Sequence, residues 1–169
     1  LGVYTIAFRI PDLLITQFCS LVGRVIFPIY AKIKDSPGAL NKSFLKTMKY
    51  VSLITVPMAL GLMLVSKPFV LTVFTDKWTE AIPVMRAIAL YTLFLSLAHN
   101  ATHAYKARGA ISVMTLTSTG RALVLIPALW WACSKIGSIE AVGWTHVGIA
   151  FIGGIINLIV AARVMNVSA

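Results

Sequence analysis

The sequence predicts an all-α membrane protein, a polytopic bundle of five transmembrane helices, and three observations carry that prediction. Of 169 residues, 59% are hydrophobic and only 12% are charged, about half the charge of an average soluble domain, which is roughly 25%. Runs of bilayer length recur: about 20 apolar residues cross a hydrocarbon core of about 30 Å, and such runs lie near 3 to 30, 48 to 66, 81 to 104, 111 to 133 and 140 to 163. The charged residues collect in the short loops between these runs, and basic-rich loops alternate with balanced ones. No water-soluble domain of useful size fits between the spans, so residues 1 to 169 read as a single transmembrane helical domain.

The first span is helical in pattern, with Pro11 as an expected kink. DSPGAL, Asp35 to Leu40, supplies turn chemistry before a lysine-rich amphipathic lead-in over Asn41 to Lys49. The second span contains Pro57 and Gly61 and is expected to close at SKP, Ser66 to Pro68. FVLTVFTDKW then reads as a short apolar segment lying at the outer interface. The third span, Ala81 to His103, ends at KARGA, where Gly109 permits a tight turn. SKIGS, Ser134 to Ser138, turns the chain between the fourth and fifth spans.

The net charge of +10 would suit nucleic acid only if it formed a solvated basic face, and here it does not. Lys32, Lys34, Lys42, Lys46 and Lys49 share the first loop, Lys106 and Arg108 the third, and Arg163 follows the last span. The positive-inside rule makes those the cytoplasmic sides, with a cytoplasmic C-terminus. Lys67 and Lys77 against Asp76 and Glu80, and Lys135 against Glu140, mark the outer loops. Tyr4, Trp78, Trp130, Trp131 and Trp144 at outer ends, with Tyr30, Tyr50 and Tyr105 at inner ends, read as aromatic belts. Cys19 and Cys133 have no metal-ligand spacing and read as buried small hydrophobes. The chain opens on Leu1 without a basic-then-apolar leader, so the expectation is a missing start and a piece of a larger protein.

Polar residues inside the spans point to function. With Arg9 as zero at about 100° per residue, Asp12 falls near 300°, Thr16 near 340°, Ser20 near 20°, Arg24 near 60°, Gln17 near 80° and Thr5 near 320°. The opposite arc holds Ala7, Phe8, Leu14, Ile15, Phe18, Leu21, Val22, Val25 and Ile26. A charge at bilayer depth costs about 2.5 to 3.5 kcal/mol, so the charged face is expected to meet a bundle interior or water. Asp12, three residues from Arg9, is placed to neutralise it. Arg24, about 22 Å further along the axis, has no acid in its own helix, and a positive line of this kind suits an anionic cargo. Snorkelling to the two interfaces is the competing account of both arginines.

On the third span Thr92, Ser96, His99, Asn100 and His103 share an arc of about 100°, read either as interhelical hydrogen bonding or as a cavity wall. His99 and His103 have the spacing of a zinc pair, but HNATH has no third ligand, and no metal is expected. Arg121, near Thr115, Ser118 and Thr119, is a further intramembrane arginine, read as functional or as bonded to a neighbour's carbonyls. Arg86 is expected to reach the outer headgroups. Gly143, Ala150, Gly153, Gly154 and Asn157 on the last span read as small-residue packing. No Ser/His/Asp triad, phosphate-cradling glycine loop or catalytic carboxylate pair can be assembled, so no enzyme is expected.

LGVYTIAFRI, VIFPIYAKIKD, TVPMALGLMLVSKPFVLTVFTDKWTEAIPVMR and AYKARG, in that order over about residues 1 to 110, resemble the C-terminal half of a bacterial polysaccharide flippase. These are the polysaccharide transporter branch of the multidrug, oligosaccharidyl-lipid and polysaccharide exporter superfamily. The matching features are Leu1-Gly2-x-Tyr4, Phe27-Pro28 before a basic loop, Pro57 with Gly61, Lys67-Pro68 and Lys77-Trp78. The resemblance implies two six-helix lobes around a central cavity, with the five spans here a partial second lobe. It also implies a bacterial cytoplasmic (inner) membrane location and translocation of an undecaprenyl-diphosphate-linked oligosaccharide by alternating access, for surface polysaccharide such as O-antigen.

Under that reading Arg24, with Arg9 and Arg121, attracts the diphosphate, while Thr16, Gln17 and Asn100 bond sugar hydroxyls, and Asp12 and His103 complete the substrate-binding set. The partners implied are the lipid-linked oligosaccharide, membrane lipids, the missing N-terminal lobe and a polysaccharide polymerase complex, with no nucleic acid. No cofactor is implied; a coupling ion, H+ or Na+, is left open. A drug or cation exporter of the same superfamily would want acidic residues in the cavity, where only Asp12 offers one. A non-transporting membrane partner of a polysaccharide assembly complex would make the arginine stripe a protein contact.

Overall fold

A computed structural model of the chain describes residues 2–74 and 76–164, with the side chains of Val3, Tyr4, Ile6, Pro37 and Ile136 left out. Leu1 and the Tyr4 side chain, which enter the motif and the outer belt, therefore lie outside the described residues, as do residues 165–169. Six α-helices follow one another: α1 Gly2–Pro11, α2 Gln17–Lys32, α3 Pro37–Val73, α4 Ala81–Ala107, α5 Ile111–Trp131 and α6 Ile139–Val164. No strand occurs among the described residues. Five stretches are long and apolar enough to cross a membrane: Ala7–Lys32, Gly38–Val73, Ala81–Ala107, Ile111–Lys135 and Ile139–Val164.

The first span runs through α1 and α2, joined by a π-helical turn over Asp12–Thr16. Pro11 has no N–H to donate to the carbonyl four residues back, and the ladder resumes with the wider spacing that inserts one residue into a turn. The uniform rotation of about 100° per residue assumed from sequence therefore fails across the very segment that carries the polar stripe. Ala7, Pro11, Ile15, Cys19, Gly23 and Tyr30 are the buried line, while Leu14, Leu21 and Val25, on the apolar arc of the ideal wheel, are exposed.

The lysine-rich lead-in, the second span and the first half of the expected interfacial segment form one helix, α3, which contains both Pro57 and Pro68. Pro68 does not stop it. The missing Pro68 N–H leaves out one bond, to Leu64 O, and hydroxyls on either side add bonds to other carbonyls of the same helix: Thr72 Oγ1 donates to Pro68 O at 2.8 Å and Ser66 Oγ to Met63 O at 2.8 Å. Gly109 and Gly137 take positive φ, 72° and 66°, the left-handed geometry that glycine adopts without a Cβ penalty. They turn the chain into α5 and α6.

Helix α4 is the centre and packs against α1, α2, α3, α5 and α6. Its contact with α6 is close because α6 presents small residues. A Cβ on Gly143 would lie 3.1 Å from Ala87 Cβ, and one on Gly154 would lie 3.8 Å from Phe94 O. At the far end Tyr105 Oη lies 2.8 Å from Asn157 Oδ1 and 2.9 Å from its carbonyl oxygen, and Arg108 donates to Val164 O. Interhelical hydrogen bonds and close backbone approach hold membrane helices together where lipid removes the hydrophobic drive.

Two aromatic expectations are corrected here. Tyr30 and Tyr105 are fully buried in the core that joins α2, α3, α4 and α6, where large rings fill the space between helices rather than rest at the interface. Cys133 is exposed, since its turn follows α5, which buries none of its residues. Trp130, Trp131 and Trp144 are exposed, as belt residues are. Lys32, Lys34, Lys42, Lys46, Lys49, Lys106 and Arg163 are all exposed around this Tyr30 and Tyr105 core, while the Ala7, Val70 and Ala81 core lies beside the balanced loops. The bundle thus has one basic and one balanced end.

Because Gly143 faces Ala87 at contact distance, Gly143→Leu is expected to lower stability by about 1 to 3 kcal/mol through overpacking. Gly148→Ala, whose new Cβ meets nothing within 4 Å, should stay within about 0.5 kcal/mol. Unfolding of the full-length protein in detergent checks both; equal midpoints would remove the tight α4–α6 contact.

Candidate functional site

The polar stripe is on the outside of these helices. Arg9, Gln17, Ser20 and Arg24 are exposed, and Asp12 and Thr16 are half-buried. The π turn sets the last two together: Thr16 Oγ1 donates to Asp12 Oδ1 at 2.8 Å. The acid expected to neutralise Arg9 is thus held by a hydroxyl one turn on.

Helix α4 continues this face. His99 is exposed on it. His103, one turn further, is half-buried over α2, its imidazole occupying the space that a Cβ on Gly23 would take, 2.1 Å from His103 Nε2. Gly23 is what lets α2 and α4 approach with a ring between them.

Arg121 comes to the same face from α5. Its guanidinium donates to Tyr91 Oη at 2.8 Å and lies 5.7 Å from the centroid of that ring, while its stem passes Gly153. Of the two readings of Arg121, the one that bonds it to a neighbour's carbonyls meets a tyrosine hydroxyl on α4 instead. Tyr91 stands 5.3 Å from the His146 ring and 6.1 Å from Phe8, so four helices meet around one cation. A charge seated this way keeps its remaining N–H donors for another acceptor.

Asn100 is elsewhere. At 5% exposure it lies in a polar seam between α2, α3 and α4. Tyr30 Oη stands beside Thr47 and Asn100, and Tyr30 Oη and Asn100 Nδ2 are buried with no hydrogen-bond partner among the described residues. Deeper in the seam Ser96 Oγ lies 3.3 Å from Thr55 Oγ1. Of the third-span set, Thr92, Ser96 and Asn100 therefore pack between helices, and only His99 stands in the open. Arg86 is exposed, and its Nε donates to Ser66 Oγ at 3.0 Å.

The structure thus joins Thr16 to Asp12 and Arg121 to Tyr91, with His99 exposed on α4. Arg9, Gln17 and Arg24 lie along the adjoining helix face, His103 at its edge, and Asn100 off it. Tyr91 and His146 are missed by sequence reasoning. The available signal was their type, since a tyrosine and a histidine inside apolar runs need partners. No group of three or more His, Cys, Asp or Glu placed to hold a metal occurs among the described residues.

Comparison with known proteins agrees with the resemblance drawn from the motifs. Residues 1–83 match the family described as "Polysaccharide biosynthesis protein". The chain is 29% identical over 171 residues to the teichuronic acid biosynthesis protein TuaB of Bacillus subtilis, covering 100% of this chain and 35% of that protein. It is 30% identical over 128 residues to the lipopolysaccharide biosynthesis protein WzxC of Escherichia coli, 76% of this chain and 26% of that one. It is 24% identical over 140 residues to an uncharacterized membrane protein in the cps region of Klebsiella pneumoniae, 83% and 29% respectively. The chain thus spans about a third or less of the length of these relatives. No solved structure matches.

The Gly23 contact generates a test of this geometry. Gly23→Ala should cost about 1 kcal/mol or more by forcing His103 aside, and His103→Ala should recover most of that loss, a coupling in the 0.5 to 3 kcal/mol range of touching residues. A double-mutant cycle on unfolding of the full-length protein reads it; additive losses would separate the two residues.

Proposed function

We propose that this chain is part of a membrane transporter of polysaccharide precursors, and that its open polar face forms one wall of the translocation path. The carrying observation is an intramembrane arginine, Arg121, anchored at one corner by Tyr91, together with a helix that exposes Arg9, Gln17 and Arg24. Cations at bilayer depth are expensive unless they face water, a polar cavity or a partner, and these are not closed off within the bundle.

The relatives' names, teichuronic acid and lipopolysaccharide biosynthesis, support polymeric sugars as the class of cargo. The finer reading is an undecaprenyl-diphosphate-linked oligosaccharide moved from the inner to the outer leaflet of the cytoplasmic membrane by alternating access. Residues outside this chain would supply the opposite wall. Arg24 and Arg121 hold the diphosphate through charge-assisted hydrogen bonds, with Arg9 near the balanced end. Thr16 and Gln17 bond sugar hydroxyls, and Tyr91 fixes the direction of Arg121. Asn100 takes a packing role. His103 sets the distance between α2 and α4. The basic end faces the cytoplasm by the positive-inside rule, which puts the C-terminus there too. In this reading the chain performs no covalent chemistry, and the driving ion, H+ or Na+, acts on the whole transporter.

Arg24→Ala and Arg121→Ala, each made in the full-length protein, should lower surface polysaccharide in a complementation assay by about tenfold or more, the scale of one lost hydrogen bond to a charged group at about 1.5 to 3 kcal/mol. Membrane levels should be normal, and Arg86→Ala should complement fully. Full complementation by both arginine variants would take the cationic face out of transport.

A further inference from the structure

We propose that the groove between α2 and α3 at the basic end binds one anionic glycerophospholipid of the surrounding leaflet. This is independent of the transport reading and lies away from the Arg121 face. Helices α2 and α3 both pack on α4 and touch each other little. Between them they leave an open groove of about 260 Å³, lined by Phe18, Val22, Ile26, Val51 and Ile54 with Ser43, Lys46, Thr47 and Tyr50.

The lining is graded along its length. Phe18, Val22, Val51 and Ile54 lie toward the middle of the spans, while Ser43, Lys46, Thr47 and Tyr50 belong to the first turns of α3 at the basic end. From Lys46 to Ile54 the helix rises about 12 Å, most of the roughly 15 Å half-thickness of bilayer hydrocarbon. An acyl chain laid along the apolar part would place its phosphate at the level of Lys46 and Tyr50.

The charge there is one-sided. Lys46 and Tyr50 are exposed, and Lys42 and Lys49, also exposed, flank Lys46 within a turn on either side. The acid of that end, Asp35, lies in the turn before α3. Basic pockets between transmembrane helices recognise anionic lipid headgroups, at about 1 kcal/mol per lysine near the surface, which is about fivefold in affinity. Ser43 adds a hydroxyl for the phosphate or glycerol oxygens. Lys46 is thus the specificity-determining residue of the groove, and Ile54 part of its chain-binding floor.

The test is native mass spectrometry of the full-length protein in detergent, titrated with phosphatidylglycerol, with phosphatidylcholine of the same chains, and with a polyprenyl phosphate. Phosphatidylglycerol should form a single adduct about fivefold tighter than phosphatidylcholine. Lys46→Ala should bring it down to the phosphatidylcholine level, Lys34→Ala should leave it unchanged, and Ile54→Trp should weaken both phospholipids. Equal binding of the two phospholipids by the unsubstituted protein would overturn the proposal. So would a loss with Lys34→Ala as large as with Lys46→Ala, which is diffuse surface attraction. Displacement of phosphatidylglycerol from the Lys46 site by polyprenyl phosphate at equal concentration would give the groove to the prenyl carrier instead and equally sink it.

Discussion

Helix α4 has neighbours on every side, and each neighbour meets a different demand made by its surface. Toward α6 it offers Val84 and Ala87, and α6 answers with Gly143, so the backbones approach closely. Toward α2 and α3 it offers Ser96 and Asn100, and those helices answer with Thr55, Thr47, Cys19 and Tyr30. Lipid gives apolar helices little reason to associate, so fit and internal satisfaction of polar groups decide the arrangement. With α4 clad in this way, the polar line of α1 and α2 is left facing outward, with His99 beside it.

That division separates two kinds of polar residue that look alike in a hydrophobic span. Thr92 and Ser96 turn their hydroxyls onto carbonyls of their own helix, which satisfies them without any ligand. Arg121 is held in part, by one tyrosine hydroxyl and one ring face. A guanidinium has five donors, and an arginine anchored at one corner has its direction set while other donors stay unused.

Much of this was legible in the sequence because the membrane imposes coarse rules. Bilayer-length runs located the five crossing helices, and the alternation of lysine-rich and balanced loops matches the basic and balanced ends of the bundle. Finer features escaped for a physical reason: apolar side chains serve lipid-facing and protein-facing surfaces equally well, so hydropathy cannot place Tyr30 and Tyr105 in the core or Cys133 outside it. The continuity of α3 through Pro68 was hidden because proline rules calibrated in water overstate the stop in hydrocarbon. Within the candidate site the charged members were visible by their cost, whereas Tyr91 and His146 come from distant parts of the chain and acquire meaning only when α4 and α6 pack.

The π turn after Pro11 has an implication for how such a span could change length. Because that turn takes up its extra residue by widening, deleting a single residue between Asp12 and Thr16 would restore regular winding and leave everything C-terminal to it in its present phase relative to Arg9. Arg24 would keep its place on the exposed face, and what would change is the pairing of Asp12 with Thr16. The first span therefore has one place where its length can change by a residue without re-aiming either cation.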